Sequence, residues 1–212
     1  MIAIIDYKAG NLTSVKRALD SLGWNSIITN EVSDVINAER VIFPGVGAAG
    51  NAISDLKKHN LDKALREVYE MGKPILGICL GTQVIMETSQ ENNTQCLGLI
   101  KGGVKRFPKN LSDSDNKKLK IPHMGWNSVK LSRGHALFED VSPESEFYFV
   151  HAYYPEPSGS NRVLGRTTYG ITFASVIASH NLVAVQFHPE KSGRPGLKIL
   201  ANFCKWSGKE DA

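Results

Sequence analysis

Short apolar runs alternate with segments of helical periodicity through residues 1–86, and this alternation constrains the fold more than any other feature of the sequence. Residues 1–7 read as a buried strand, after which Leu12, Val15, Leu19 and Leu22 recur at helical spacing and Gly23 supplies a stop. Strands follow at 26–29 and 40–43, the second running into Pro44-Gly45-Val46-Gly47. Ile53, Leu56, Leu61, Leu65 and Val68 suit the buried face of one helix over 51–71, closed by Gly72. The next strand covers 74–78 and the next helix 80–86. Strand and helix in turn predict an α/β fold, with a mostly parallel central sheet and helices on both faces.

From about residue 97 to 185 the texture changes to short β-like runs, among them 102–104, 128–131, 146–151 and 172–177, which predict antiparallel β additions to the sheet. The polar, Lys-rich stretch 110–120 reads as a mobile loop. A last strand over 182–187 meets His188-Pro189-Glu190, and a helix over 195–206 ends at Ser207-Gly208. With 212 residues at 42% hydrophobic, one domain over 1–212 is the economical reading.

The apolar residues 2–5 are ended by Asp6 without a basic leader, so no signal peptide is expected, and no apolar run reaches the roughly 20 residues of a membrane span. Cys79, Cys96 and Cys204 are widely spaced and form no Cys-x-x-Cys pair, which points to neither a disulfide framework nor a metal site and fits a cytoplasmic location. The net charge of +4 is uneven: residues 101–130 hold eight Lys or Arg against Asp113 and Asp115. Nucleic-acid binding would interleave aromatics among the bases, and only Phe107 and Trp126 lie there. A solvated face, or one that docks on an acidic protein surface, fits better.

Gly77-Ile78-Cys79-Leu80-Gly81 sets a cysteine between glycines directly after a strand, the pattern of a strand-to-helix turn that presents a nucleophile. The glycines allow strand and helix to approach closely, and the first helical amides point towards the thiol. A lone cysteine is commonly a small buried hydrophobe, and the flanking glycines and strand argue for the nucleophile. Cysteine at neutral pH is mostly thiol, so it needs a base, and His188 with Glu190 supplies an imidazole and a carboxylate. In an extended His-Pro-Glu segment, residues two apart project to one side, which lets Glu190 orient His188. The Leu80 amide is a natural donor to an oxyanion, and the Val46 amide in the glycine loop, with Gly47 beside it, is a second. Functional groups in open α/β sheets gather at the carboxyl ends of strands, and Pro44 to Gly47, Cys79 and His188 to Glu190 mark three such ends.

Gly-Ile-Cys-Leu-Gly-Thr-Gln at 77–83 with Gln-Phe-His-Pro-Glu-Lys-Ser at 186–192 resembles the class I (triad) glutamine amidotransferases. Ile5-Asp6-Tyr7, Gly10-Asn11-Leu12, Pro44-Gly45-Val46-Gly47-Ala48, Pro122-His123-Met124-Gly125-Trp126-Asn127 and Phe149-Val150-His151 resemble one branch of that family, the glutaminase subunits of imidazole glycerol phosphate synthases. The resemblance implies a flavodoxin-like fold and a catalytic triad of Cys79, His188 and Glu190 acting on L-glutamine through a thioester, with no cofactor. It further implies that Gln83, Gly47 and the backbone at Ala152 and Tyr153 hold the substrate. Ammonia would pass to a (β/α)8 cyclase subunit in a heterodimer, with Asn11, Trp126 and Lys191 at the partner interface. Departures from the family's pattern fall at Lys8-Ala9, Ala49, Ala152 and the Gly193-Arg194-Pro195 that follows Ser192. These departures leave room for a glutaminase subunit of another synthase, and the residues alone leave two further readings open, a cysteine hydrolase acting without a partner on γ-glutamyl or other amide bonds and a non-catalytic interaction subunit.

Overall fold

The computed structural model describes residues 1–8 and 10–209, so Ala9 of the Lys8-Ala9 departure lies outside the described residues. The first half of the chain builds β1 (Ile2–Ile5), α1 (Leu12–Ser21), β2 (Ser26–Thr29), α2 (Val32–Asn37), β3 (Arg40–Gly45), α3 (Ala49–Lys58), α4 (Leu61–Glu70), β4 (Ile75–Cys79) and α5 (Leu80–Val84). The strands β5 (Thr88–Ser89), β6 (Thr94–Gln95), β7 (Gly102–Arg106), β8 (His123–Ser128), β9 (Lys130–Leu131), β10 (Glu146–His151), β11 (Tyr153–Pro157), β12 (Val163–Tyr169), β13 (Ile171–Ser179) and β14 (Leu182–Val185) follow, and α6 (Gly193–Lys205) comes last.

An eight-stranded sheet in the order β2-β1-β3-β4-β14-β13-β12-β9 forms the centre. Its β2, β1, β3, β4 and β14 run parallel, as the alternation predicts, while β13, β12 and β9 are added antiparallel. The β-rich segment does not all join this sheet. β10 pairs with β8 in a sheet of two strands, and β11, β7, β5 and β6 form another of four. The expected helix over 51–71 is two helices, because Asn60 adopts a left-handed conformation at φ 55°, ψ 20° and turns the chain between α3 and α4. Asparagine tolerates that region better than most residues, so the His59-Asn60 pair ends one helix where apolar periodicity alone runs through. The short helix α2 buries only Val35, too little to register as a period.

Successive residues of the parallel strands pack on opposite sides, which is why these strands read as unbroken apolar runs. Ile2, Ile4, Leu76 and Ile78 meet Val15 and Leu19 of α1 and Ile199, Leu200 and Phe203 of α6. Ala3, Ile5, Val41 and Phe43 meet Val35, Leu56, Leu65 and Val68 from α2, α3 and α4. Among the described residues no helix is long and apolar enough to cross a membrane. The three marked strand ends become neighbours: Gly45 pairs with Cys79 in register, and Ile78 lies between Pro44 and Val185.

Candidate active site

Cys79 ends β4 at φ 53°, ψ −103°, a backbone conformation rarely adopted by a residue with a side chain. Holding it costs about 1–3 kcal/mol, which the packing around it must offset. That packing depends on the flanking glycines. A Cβ on Gly81 would stand 1.9 Å from the Phe43 carbonyl oxygen, and one on Gly77 would stand 2.9 Å from the Ala184 Cβ. The Cys79 side chain is buried to 6% exposure, with its Sγ 4.0 Å from the Val150 carbonyl oxygen. Gln186 Nε2 donates to the sulfur at 3.8 Å, and Gln186 Oε1 accepts from Gln83 Nε2 at 3.2 Å. Gln186 lies inside the histidine motif, but its contact with the thiol was not foreseen from spacing.

His188 and Glu190 come together, although not by the route that alternation suggests. Residues Pro189–Lys191 form a single 3-10 turn rather than an extended segment, with the proline at the turn's start, where its missing N–H costs nothing. The turn brings His188 Nδ1 to 2.8 Å from Glu190 Oε1, both side chains being almost fully buried. The backbone of His188 is fixed on both sides: its N–H donates to the Tyr148 carbonyl at 2.9 Å and its carbonyl accepts from Ser192 Oγ at 2.6 Å. Burial by itself would lower the imidazole's basicity, but its electrostatic and hydrogen-bond interactions with Cys79 and Glu190 outweigh it and push His188 up to about 10. The ring therefore keeps its proton through neutral pH, with Nδ1–H directed at Glu190. Its Nε2, which makes no other hydrogen bond among the described residues, is left to face the Cys79 side chain.

Asn11, expected at a partner interface, also reaches the His188–Glu190 pair, a contact that the sequence did not signal. This residue, left-handed at φ 74° before α1, donates from Nδ2 to Glu190 Oε1 at 2.5 Å, the same oxygen that receives His188. Of the other residues expected at a partner surface, Trp126 is 54% exposed beside Met124 at 61%, and Lys191 is exposed.

Cys79 opens into a pocket of about 290 Å³ lined by Val46, Gly47, Leu80, Gln83, Ala152 and Tyr153, so every residue expected to contact substrate borders one cavity. Gly47 is at φ 104°, and the residue before the glycine loop is anchored by Tyr7, whose hydroxyl donates to the Pro44 carbonyl at 2.9 Å. Gln83 Nε2 donates to the Tyr153 carbonyl at 2.9 Å, tying the helix after the nucleophile to the opposite wall. Sequence reasoning missed Glu91, the carboxylate on the pocket wall, whose Oε2 accepts the Ala49 amide at 2.6 Å. An isolated acid in the polar run Ser89 to Asn93 carries no pattern that would single it out. Because that contact uses the backbone of Ala49, it does not depend on the aromatic that the family's pattern has at this position.

The family model "Glutamine amidotransferase class-I" matches residues 3–206. The chain is 50% identical over 208 residues to imidazole glycerol phosphate synthase subunit HisH of Nitratidesulfovibrio vulgaris, covering 97% of this chain and 98% of the relative. It is 50% identical over 213 residues to the subunit of the same name from Desulfovibrio desulfuricans, covering 99% and 98%. Among solved structures, one titled as a glutamine amidotransferase superposes with a TM-score of 0.73 at 18% identity, covering 96% of this chain and all of the other, 100%. The glutaminase domain of Trypanosoma brucei CTPS superposes at 0.64 with 16% identity, covering 99% and 97%. The chain belongs to the class I glutamine amidotransferase family and, within it, to the branch of the HisH subunits of imidazole glycerol phosphate synthase.

Proposed function

We propose that this chain, as a single glutaminase domain over 1–212, hydrolyses L-glutamine at Cys79 and delivers the ammonia to a (β/α)8 cyclase subunit. The cyclase uses it to form imidazole glycerol phosphate and an aminoimidazole carboxamide ribonucleotide in histidine biosynthesis. The convergence of a strained Cys79 with the buried His188–Glu190 pair carries this reading. In it, the sulfur attacks the side-chain amide carbon of glutamine while His188 transfers its proton to the departing nitrogen, which leaves as ammonia. Water then attacks the thioester with His188 as base, releasing glutamate and restoring the thiolate. The amides of Leu80 and Val46 stabilise the oxyanion that forms at each stage, Gly47 giving the loop its freedom to turn.

Glutamine carries an ammonium and a carboxylate at its far end, and Glu91 supplies the pocket with a charge to meet the ammonium. Glu91→Gln keeps the shape and removes that charge. The expected result is a KM for glutamine raised about ten-fold or more, with a smaller change in kcat. Equal KM values for the two proteins would remove Glu91 from the binding set.

The surface with Trp126, Met124 and Lys191 is the proposed docking face, and a cytoplasmic heterodimer fits the three free cysteines. Mixing the purified chain with the cyclase and its nucleotide should give a one-to-one complex and strongly stimulated glutamate release. Full hydrolysis by the isolated chain, unaffected by the cyclase, would instead establish a hydrolase that acts alone. In the same assay Lys191→Ala should weaken complex formation and stimulation about ten-fold, with little change in Tm, if the ammonium meets an acidic group of the partner. Unchanged affinity and stimulation would count against that pairing.

A further inference from the structure

Two buried imidazoles that the proposed chemistry does not use lie at the pocket, His151 in its wall and His123 behind it. The antiparallel register of β8 and β10 sets His123 opposite His151. His151 Nδ1 is 2.8 Å from the Tyr153 carbonyl oxygen, His123 Nδ1 is 3.0 Å from His151 Nε2, and Asn127 Nδ2 is 3.3 Å from His123 Nε2. These contacts determine where every proton sits. A carbonyl only accepts, so His151 Nδ1 carries its hydrogen, and the Nε2 of a neutral ring must then accept from His123 Nδ1–H. That leaves His123 Nε2 to accept from Asn127. The orientation of the Asn127 amide is set independently, since its Nδ2 also donates to the Thr168 carbonyl at 3.0 Å and its Oδ1 accepts the Ser128 amide at 2.9 Å. Burial keeps both rings neutral, lowering His123 to about 4 and His151 to about 3, the latter against the opposing effect of its bond to Tyr153.

The chain Asn127 to His123 to His151 to Tyr153 therefore runs in one direction, and it ends on a carbonyl that also receives Gln83 Nε2. Tyr153 and Ala152 line the pocket beside Cys79. At the other end, His123 and Asn127 alternate along β8 with Met124 and Trp126, which face solvent. We propose that His123 and His151 are positioning residues, a proton-locked relay that holds the Tyr153 carbonyl and with it the Ala152–Tyr153 wall of the glutamine pocket, tied to the strand that bears Met124 and Trp126. The proposal rests on the reading of this pocket as the glutamine site.

Packing offers the competing account, because the His123 ring is stacked between Phe149, at 4.8 Å between centroids, and Tyr169, at 4.1 Å. Two substitutions separate the accounts. His123→Phe keeps the stacked ring and loses the donor, whereas His123→Asn loses the ring and keeps an N–H near the Nδ1 position. In the complex with the cyclase, His123→Phe should raise the KM for glutamine about ten-fold and change kcat less than about two-fold, with His123→Asn recovering much of the loss. Alkylation of Cys79 by iodoacetamide should proceed at the wild-type rate in both. Nitrogen-15 spectra of the wild-type chain should show both rings as Nδ1–H tautomers that do not titrate between pH 5.5 and 8. An Nε2–H tautomer on either ring, titration near 6.5, a KM unmoved in His123→Phe, or His123→Asn faring worse than His123→Phe would each overturn the relay. Should the wild-type complex release no glutamate, the glutaminase reading falls while the spectra still decide the proton arrangement. The spectra decide equally if His123→Phe fails to fold.

Discussion

Cys79→Ala should lower glutamate release by the cyclase complex by about three orders of magnitude or more, because no other thiol approaches the pocket and a thioester route has no substitute for its nucleophile. Cys96 and Cys204 lie elsewhere, and burial pushes both thiols up, to about 11 and about 12, which keeps them protonated and inert. The alanine variant should retain complex formation and synthesis from supplied ammonium, since the partner surface is untouched. Full partner-stimulated turnover in this variant, measured as glutamate released per complex, would refute the thioester route outright.

Gly81→Ala is expected to be as damaging from the opposite direction, through folding rather than chemistry. The added Cβ would meet the Phe43 carbonyl oxygen at 1.9 Å and the Phe43 carbonyl carbon at 3.0 Å, both backbone atoms of a central strand that cannot rotate away. Either α5 lifts from β3 or the strand bends, at a cost of about 3–5 kcal/mol. For a chain of this length that corresponds to a fall in Tm of roughly 10 °C. Lifting α5 also releases the strained backbone of Cys79, so the folded fraction should lose activity beyond its loss of stability. A Tm within about 2 °C of wild type, read by calorimetry, would show that this close approach is not what holds the turn.

The parts of the site that were legible in the sequence are those whose geometry is local. Gly77 to Gly81 encodes a tight turn by itself, and the alternation around it orders the parallel strands, so the position of Cys79 followed from five residues and their neighbours. His188 and Glu190 were legible as a pair, but their geometry was not: the proline starts a 3-10 turn, and alternation in an extended segment gave the right partners for the wrong reason. Contacts between distant segments had no signal. Asn11 and Glu190 are separated by 179 positions, and nothing in either stretch announces the other. Glu91 and Gln186 were hidden for the same reason, since their roles depend on which loop closes over which strand. The break at Asn60 shows a further limit, because apolar spacing continues across a left-handed residue that periodicity cannot see.

The place of β14 in the central sheet has a consequence for synthesis. This strand lies between β4 and β13, so the strand that carries Cys79 keeps an unpaired edge until the ribosome has made residues 182–185. A nascent chain emerging at about 5–20 residues per second thus exposes an apolar parallel strand for several seconds, a period in which a chaperone can bind it or another chain can add to it. The same delay keeps the thiol from meeting its base, so the newborn polypeptide cannot consume glutamine until residues 188–190 have been made.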